Sequence, residues 1–187
     1  MILEKRETAI PGCFELVPRK TEDERGCFVK SFHRNVFESL GLETEWREEY
    51  YSVSRKGVLR GLHFQLPPHD HVKLVYCTSG EVLDAVVDLR VGSPMYGRHV
   101  LFQLNAPQAN MIYIPRGCAH GFYTVSDTAT MMYKVSTVYA PETDGGVLWN
   151  SLGIPWPDRN PVISKRDTEF APFAEFKSLF QFQKENG

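Results

Sequence analysis

Four side chains, far apart along the chain, are the types needed to move a proton on the carbon beside a ketone. They are His63 in Gly57-Val58-Leu59-Arg60-Gly61-Leu62-His63-Phe64-Gln65, Lys73, Tyr133 in Tyr133-Lys134, and Asp167 at the end of Ser164-Lys165-Arg166-Asp167. Such a transfer takes a base that titrates near neutrality, a group to orient it, a cation for charge growing on oxygen, and an acid. Histidine suits the first task because its ordinary pKa is near 6.5. Arg60 and His63 stand three apart, so strict strand alternation sends them to opposite faces. Gly61 lies between them, and a glycine inside a strand often marks a bulge that re-aims its neighbours. Both residues are therefore expected to face one cavity. Taken alone, the pair is more often a structural histidine beside a surface arginine, and Tyr133 more often a core aromatic with one polar partner. Beside His63, Lys73 and Asp167, the balance for Tyr133 shifts toward chemistry.

A metal centre is the competing chemistry. Pro67-Pro68-His69-Asp70-His71 followed by Pro115-Arg116-Gly117-Cys118-Ala119-His120 has the outline of a metal-binding cupin, a His-x-His with a later histidine after a Pro-x-Gly turn. The glutamate such a site requires is missing, because Val75 and Tyr76 occupy its positions. His69, His71 and His120 make an incomplete ligand set, and no metal is expected. The Pro-x-Gly-x-x-His segment still suggests a double-stranded β-helix barrel with His120 in its mouth. Arg60, Lys73, His120 and Arg25 would there offer donors for a ketone and a diphosphate.

These side chains have to be positioned by strands. Alternating apolar runs separated by Gly, Pro, Asn and Ser predict an all-β sandwich or barrel, with strands at 57–65, 72–77, 82–89, 98–104, 111–114 and 130–138. Ser79-Gly80 reads as a hairpin turn that brings Lys73 and Val75 into one sheet with Asp84 and Val86. One short helix is expected from Asn35 to Leu40, stopped by Gly41. Phe170, Phe173, Phe176 and Phe180 read as a packing stripe broken by Pro172. With 187 residues and no linker or repeat, residues 1–187 are expected to form one domain with a sizeable core.

A net charge of −2 argues against sequence-independent nucleic-acid binding. Cys13, Cys27, Cys77 and Cys118 are scattered, which points to a reducing cytoplasm and to neither a disulfide scaffold nor structural zinc. Met1 to Arg6 has no apolar signal core, and no apolar run approaches the roughly 18 residues of a membrane span.

From about Asp23 to about Asp167 the chain resembles the nucleotide-sugar epimerases typified by dTDP-4-dehydrorhamnose 3,5-epimerase. The resemblance is carried by Gly57 to His63, Lys73-Leu74-Val75, Val87-Asp88-Leu89-Arg90-Val91-Gly92-Ser93-Pro94-Met95-Tyr96-Gly97, Pro115 to Phe122, and Tyr133-Lys134 with Tyr139-Ala140-Pro141-Glu142. It implies a cupin-type jelly-roll barrel with a few short helices. It implies that His63 is the base, oriented by Asp167 with Asp84 as runner-up, that Lys73 with Arg60 or His120 stabilises an enolate, and that Tyr133 returns the proton from the opposite face. No cofactor is implied. Tyr139 either lines the pocket or closes the barrel, and Arg166 joins the substrate-binding set. A homodimer is also implied, in which Arg25, Phe28 and Lys30 reach the neighbour's pocket.

Three positions depart from the family's pattern at the nucleotide end: Lys30 replaces a glutamate, and Glu48 and Tyr50 replace a glutamine and an asparagine. Glutamate accepts a hydrogen bond from a base N–H where lysine only donates. A CDP-linked or GDP-linked sugar therefore stands beside the dTDP-linked one. The expected activity is inversion at C3, C5 or both of a nucleotide-linked 4-keto-6-deoxyhexose, in deoxysugar and polysaccharide biosynthesis. Inversion at a single centre, a metal-dependent cupin and a silent sugar-binding protein are the alternatives.

Overall fold

Runs such as Lys73-Leu74-Val75-Tyr76-Cys77 fold as strands whose two faces are both covered, odd positions by one apolar layer and even positions by another. The computed structural model describes residues 3–183, so Met1 and Ile2 of the N-terminal stretch lie outside it. The first half of the chain runs through β1 (Leu3–Glu7), β2 (Phe14–Pro18), β3 (Lys20–Asp23), β4 (Gly26–Val29), α1 (Arg34–Ser39), β5 (Glu48–Arg55), β6 (Leu59–Gln65) and β7 (Lys73–Ser79). The second half adds β8 (Glu81–Asp88), β9 (His99–Asn105), β10 (Met111–Ile114), β11 (Cys118–Thr124), β12 (Thr128–Val135), β13 (Asp144–Gly146) and α2 (Lys165–Thr168), then one 3-10 turn at Phe173–Glu175.

Six strands in the order β1-β2-β10-β7-β12-β5 form one antiparallel sheet, and five in the order β13-β6-β11-β8-β9 form the other. The architecture is the all-β, double-stranded barrel with few short helices that the resemblance implies. Between the sheets, Val75, Cys77, Val82, Val86, Ile112 and Phe122 belong to one buried cluster. The outer face of the five-stranded sheet carries Leu62, Phe64, Ala85, Val87, Trp149, Trp156 and Phe180. The outer face of the six-stranded sheet is covered by Phe37 of α1 with Leu16, Leu74 and Met111. β3 and β4 pair only with each other and form a separate hairpin.

The helix near residue 35 begins at Arg34 and ends at Ser39, one residue earlier than the sequence suggests at each end. Of the aromatic stripe, Phe173, Phe176 and Phe180 pack on the outer cluster, while Phe170 meets the His63 ring edge-on at 5.9 Å.

The Ser79-Gly80 expectation needs correction. The chain does turn there, but β7 bonds to β10 and β12 while β8 bonds to β11 and β9. Lys73 and Val75 therefore lie in the sheet opposite Asp84 and Val86, across the interior. The turn is a corner between sheets. Gly80 is required because its backbone has φ +79° and a Cβ would lie 2.0 Å from the Thr128 carbonyl oxygen.

Candidate active site

The strand β6 changes its alternation at Gly61. Leu59 and Leu62 both pack on the outer cluster, whereas Arg60 and His63 both line a cavity of about 460 Å³ between the sheets. Opposite them on β11, His120 pairs with His63 and Phe122 with Arg60, so Gly61 and Leu62 stand against Gly121 alone. That is a bulge, and it re-aims Arg60 as its residue types foretell. Close approach demands glycine here: φ is +133°, and a Cβ would come within 2.5 Å of the Gly121 Cα.

His63 Nε2 lies 2.8 Å from Asp167 Oδ1. The carboxylate is fixed by α2, where Ser164 caps the Asp167 backbone N–H, and by the Gly61 N–H, which donates to Oδ2 at 3.2 Å. Burial alone would raise Asp167, but the bonds from His63 and Gly61 outweigh it and the carboxyl falls from 3.8 to about 2. Burial pushes the His63 imidazole below its ordinary value, with Asp167 pulling the other way. Since the carboxylate can only accept, it assigns the proton to Nε2 of a neutral His63 and leaves Nδ1 as the free lone pair.

Asp84, the runner-up partner for His63, belongs to His120 instead: His120 Nε2 lies 2.7 Å from Asp84 Oδ2. Both residues are buried, and burial raises the Asp84 carboxyl above the usual carboxylate range against the pull of His120. Lys73, only 7 % exposed, lines the same cavity. Its burial brings the ammonium down from 10.5 to about 8.

The six-stranded sheet, which carries Lys73, also supplies Tyr133, whose hydroxyl lies 3.1 Å from Ser52 Oγ and whose ring stacks on Tyr50. Burial raises the Tyr133 phenol, opposed by the Ser52 bond. Glu48 also lines the cavity, and its carboxylate accepts from the Tyr139 backbone N–H at 2.8 Å. At the mouth, the Tyr139 hydroxyl donates to Asp144 at 3.2 Å, and Asp144 is paired with Arg166. Arg166 Nε also reaches Asp167 Oδ1 at 3.3 Å.

Nine of the side chains singled out for catalysis or substrate binding thus border one cavity: His63, Lys73, Tyr133, Arg60, His120, Glu48, Tyr50, Tyr139 and Arg166, with Asp167 behind His63. Arg25, Phe28 and Lys30 do not. They are exposed on the β3–β4 hairpin and its exit, and Phe28 has 65 % of its surface open. His71 lines the cavity but bonds Thr137 through Nδ1 at 3.0 Å, and burial drops it to about 3. With His120 tied to Asp84, the three histidines do not converge. Among the described residues no three His, Cys, Asp or Glu side chains group as a metal requires.

Sequence reasoning missed Ser52, Asp144 and Phe170. Ser52 was within reach, since alternation along β5 puts it on the same face as Glu48 and Tyr50. Asp144 opens a strand of three residues, too short to show a pattern.

A family profile described as dTDP-4-dehydrorhamnose 3,5-epimerase matches residues 7–175. The dTDP-4-dehydrorhamnose 3,5-epimerase of Shigella flexneri is 41 % identical over 172 residues, 90 % of this chain and 95 % of that one. The crystal structure of dTDP-6-deoxy-D-glucose-3,5-epimerase from Legionella pneumophila, in complex with dTDP-4-keto-L-rhamnose, superposes with a TM-score of 0.93 at 33 % identity, covering 98 % of this chain and 100 % of that one. A 3'-monoepimerase from Streptomyces bikiniensis, in complex with dTDP-quinovose, gives 0.85 at 32 % identity over 90 % and 87 % of the two chains. On the profile, the identities and the shared barrel together, the chain belongs to the dTDP-4-dehydrorhamnose 3,5-epimerase family and is a carbohydrate epimerase, an isomerase.

Proposed function

We propose that the protein inverts C3, C5 or both of a 4-keto-6-deoxyhexose carried on a nucleoside diphosphate, with His63 as base and Tyr133 as acid. The observation that carries this reading is the placement of His63 and Tyr133 on facing sheets around one cavity. A sugar ring between them meets the base on one face and the acid on the other, as inversion demands.

His63 Nδ1 takes the proton from the carbon beside the C4 ketone, and the electron pair delocalises onto oxygen as an enolate. Asp167 supports the imidazolium that forms. The Lys73 ammonium and Arg60 lie along the same cavity, where water exclusion strengthens their hold on the developing charge. The two histidine–aspartate pairs take different parts. When the Asp84–His120 pair holds one additional proton, His120 carries Nδ1–H wherever the shared proton sits and can donate it to the ketone oxygen, while the His63–Asp167 pair acts as the base. Tyr133 then gives its proton to the opposite face of the carbon. The removed proton leaves through His63 to water, and water restores Tyr133.

Arg25, Phe28 and Lys30 act in the pocket of a second copy in a homodimer, where Lys30 and Glu48 choose the nucleobase among dTDP, CDP and GDP. Four free cysteines support a reducing compartment. Among the described residues no helix is long and apolar enough to cross a membrane.

The test is incubation in deuterated water with dTDP-linked and, separately, CDP-linked 4-keto-6-deoxyglucose, followed by NMR at C3 and C5. Deuterium entering with inversion is expected, and Tyr133→Phe is expected to keep exchange while suppressing inversion. No exchange with either sugar overturns both substrates; unaffected inversion in Tyr133→Phe removes the acid assignment; equal turnover of the two sugars removes the base discrimination.

A further inference from the structure

Tyr50 and Tyr133 are direct cross-strand partners on β5 and β12, and both line the cavity. Their rings lie 4.8 Å apart at 17°, a stacked pair. Ser52, the next inward residue on β5, meets the tip of Tyr133 through its hydroxyl at 3.1 Å. His120 meets the same ring edge-on, 6.2 Å away at 73°. The phenol is therefore met on a face by Tyr50, at its tip by Ser52 and in a T-shaped contact by His120, and of these three only Tyr50 stacks on its face.

Tyr50, 43 % exposed, contributes the flat face that it offers Tyr133.

Resting on the epimerase reading, we propose that Tyr50 is a positioning residue for the acid, and that its stack on Tyr133 sets how the returned proton is divided between the two carbons flanking the ketone. C3 and C5 lie on either side of C4, so an acid fixed in one direction reaches one of them more readily for a given seating of the sugar. The enolate has two outcomes at each carbon. Either the Tyr133 O–H bond breaks and a C–H bond forms on the far face, which inverts the centre, or His63 returns a solvent proton to the near face, which exchanges without inverting. The ratio of inversion to exchange thus reads how well Tyr133 is aimed, independently of how well the sugar binds.

The experiment measures that ratio at C3 and at C5 in deuterated water for the wild type, Tyr50→Ala, Tyr50→Leu and Tyr50→Phe, along with KM. In Tyr50→Ala and Tyr50→Leu it is expected to fall about tenfold and to fall unequally at the two carbons, with KM changed by less than about twofold. Tyr50→Phe keeps the stacked face and is expected to restore the wild-type ratio. Tyr50→Leu keeps apolar bulk on the strand, so the test survives if the alanine variant folds poorly. An unchanged ratio with a raised KM would make Tyr50 a substrate contact and overturn the proposal, as would a Tyr50→Phe as impaired as Tyr50→Ala. Absence of exchange in the wild type would instead refute the substrate reading beneath it.

Discussion

Lys73 is a cation that folding makes unhappy and the proposed reaction makes useful. Its folded pKa of about 8 lies below the unfolded 10.5, so between those values the unfolded chain binds more protons and stability rises with pH. The desolvation penalty is fully present below about 8 and fades as pH approaches 10.5. Activity has the opposite sign, because the ammonium that would hold the enolate is lost as pH passes about 8. Lys73→Arg keeps a charge that does not titrate there and is expected to abolish this alkaline limb in kcat/KM. Lys73→Met is expected to lose on the order of 100-fold in kcat. At pH 7 it should unfold at a higher urea concentration than the wild type, with the gap closing between pH 8 and 10.5. A profile for Lys73→Arg that still falls at pH 8 would assign the limb to another group.

Among the elements, β6 carries the strictest local requirement. Gly61→Ala must place a methyl group against the Gly121 backbone at a φ that L side chains rarely adopt. It is expected to cost about 2 kcal/mol or more in urea unfolding and to reduce activity beyond that, since Arg60 and His63 depend on the bulge. The bulge was legible because a glycine inside an apolar strand is a local signal, and it put Arg60 and His63 on one face as expected. The corner at Ser79-Gly80 was not legible. A tight turn tells that the chain reverses, whereas the sheet each strand joins depends on hydrogen bonds to β10, β11 and β12, far along the sequence. The same limit explains Asp84: His63 and His120 are cross-strand neighbours, and no spacing along the chain shows which of them a buried carboxylate will meet. His63, Lys73, Tyr133 and Asp167 stood out as a set and do meet, while three-residue β13 hid Asp144.

At the scale of the whole molecule, the hairpin of β3 and β4 presents Arg25 and Phe28 to solvent, with Lys30 just beyond, away from the chain's own cavity. If these residues complete a neighbour's pocket, two damaged chains can repair each other. His63→Ala and Arg25→Ala proteins, each impaired alone, are expected to regain activity after being unfolded and refolded together, because a mixed dimer holds one pocket with an intact base and an intact hairpin. No recovery in a mixture that sedimentation shows to contain mixed dimers would place the hairpin's work elsewhere. The cavity itself draws Tyr50, Lys73 and Tyr133 from one sheet and Arg60, His63 and His120 from the other. Neither sheet alone holds the proposed base with its proposed acid. Turnover can therefore serve as a gauge of docking: a partly unfolded species that keeps its strands but lets the two layers part should be catalytically silent while its backbone signal is still nearly native.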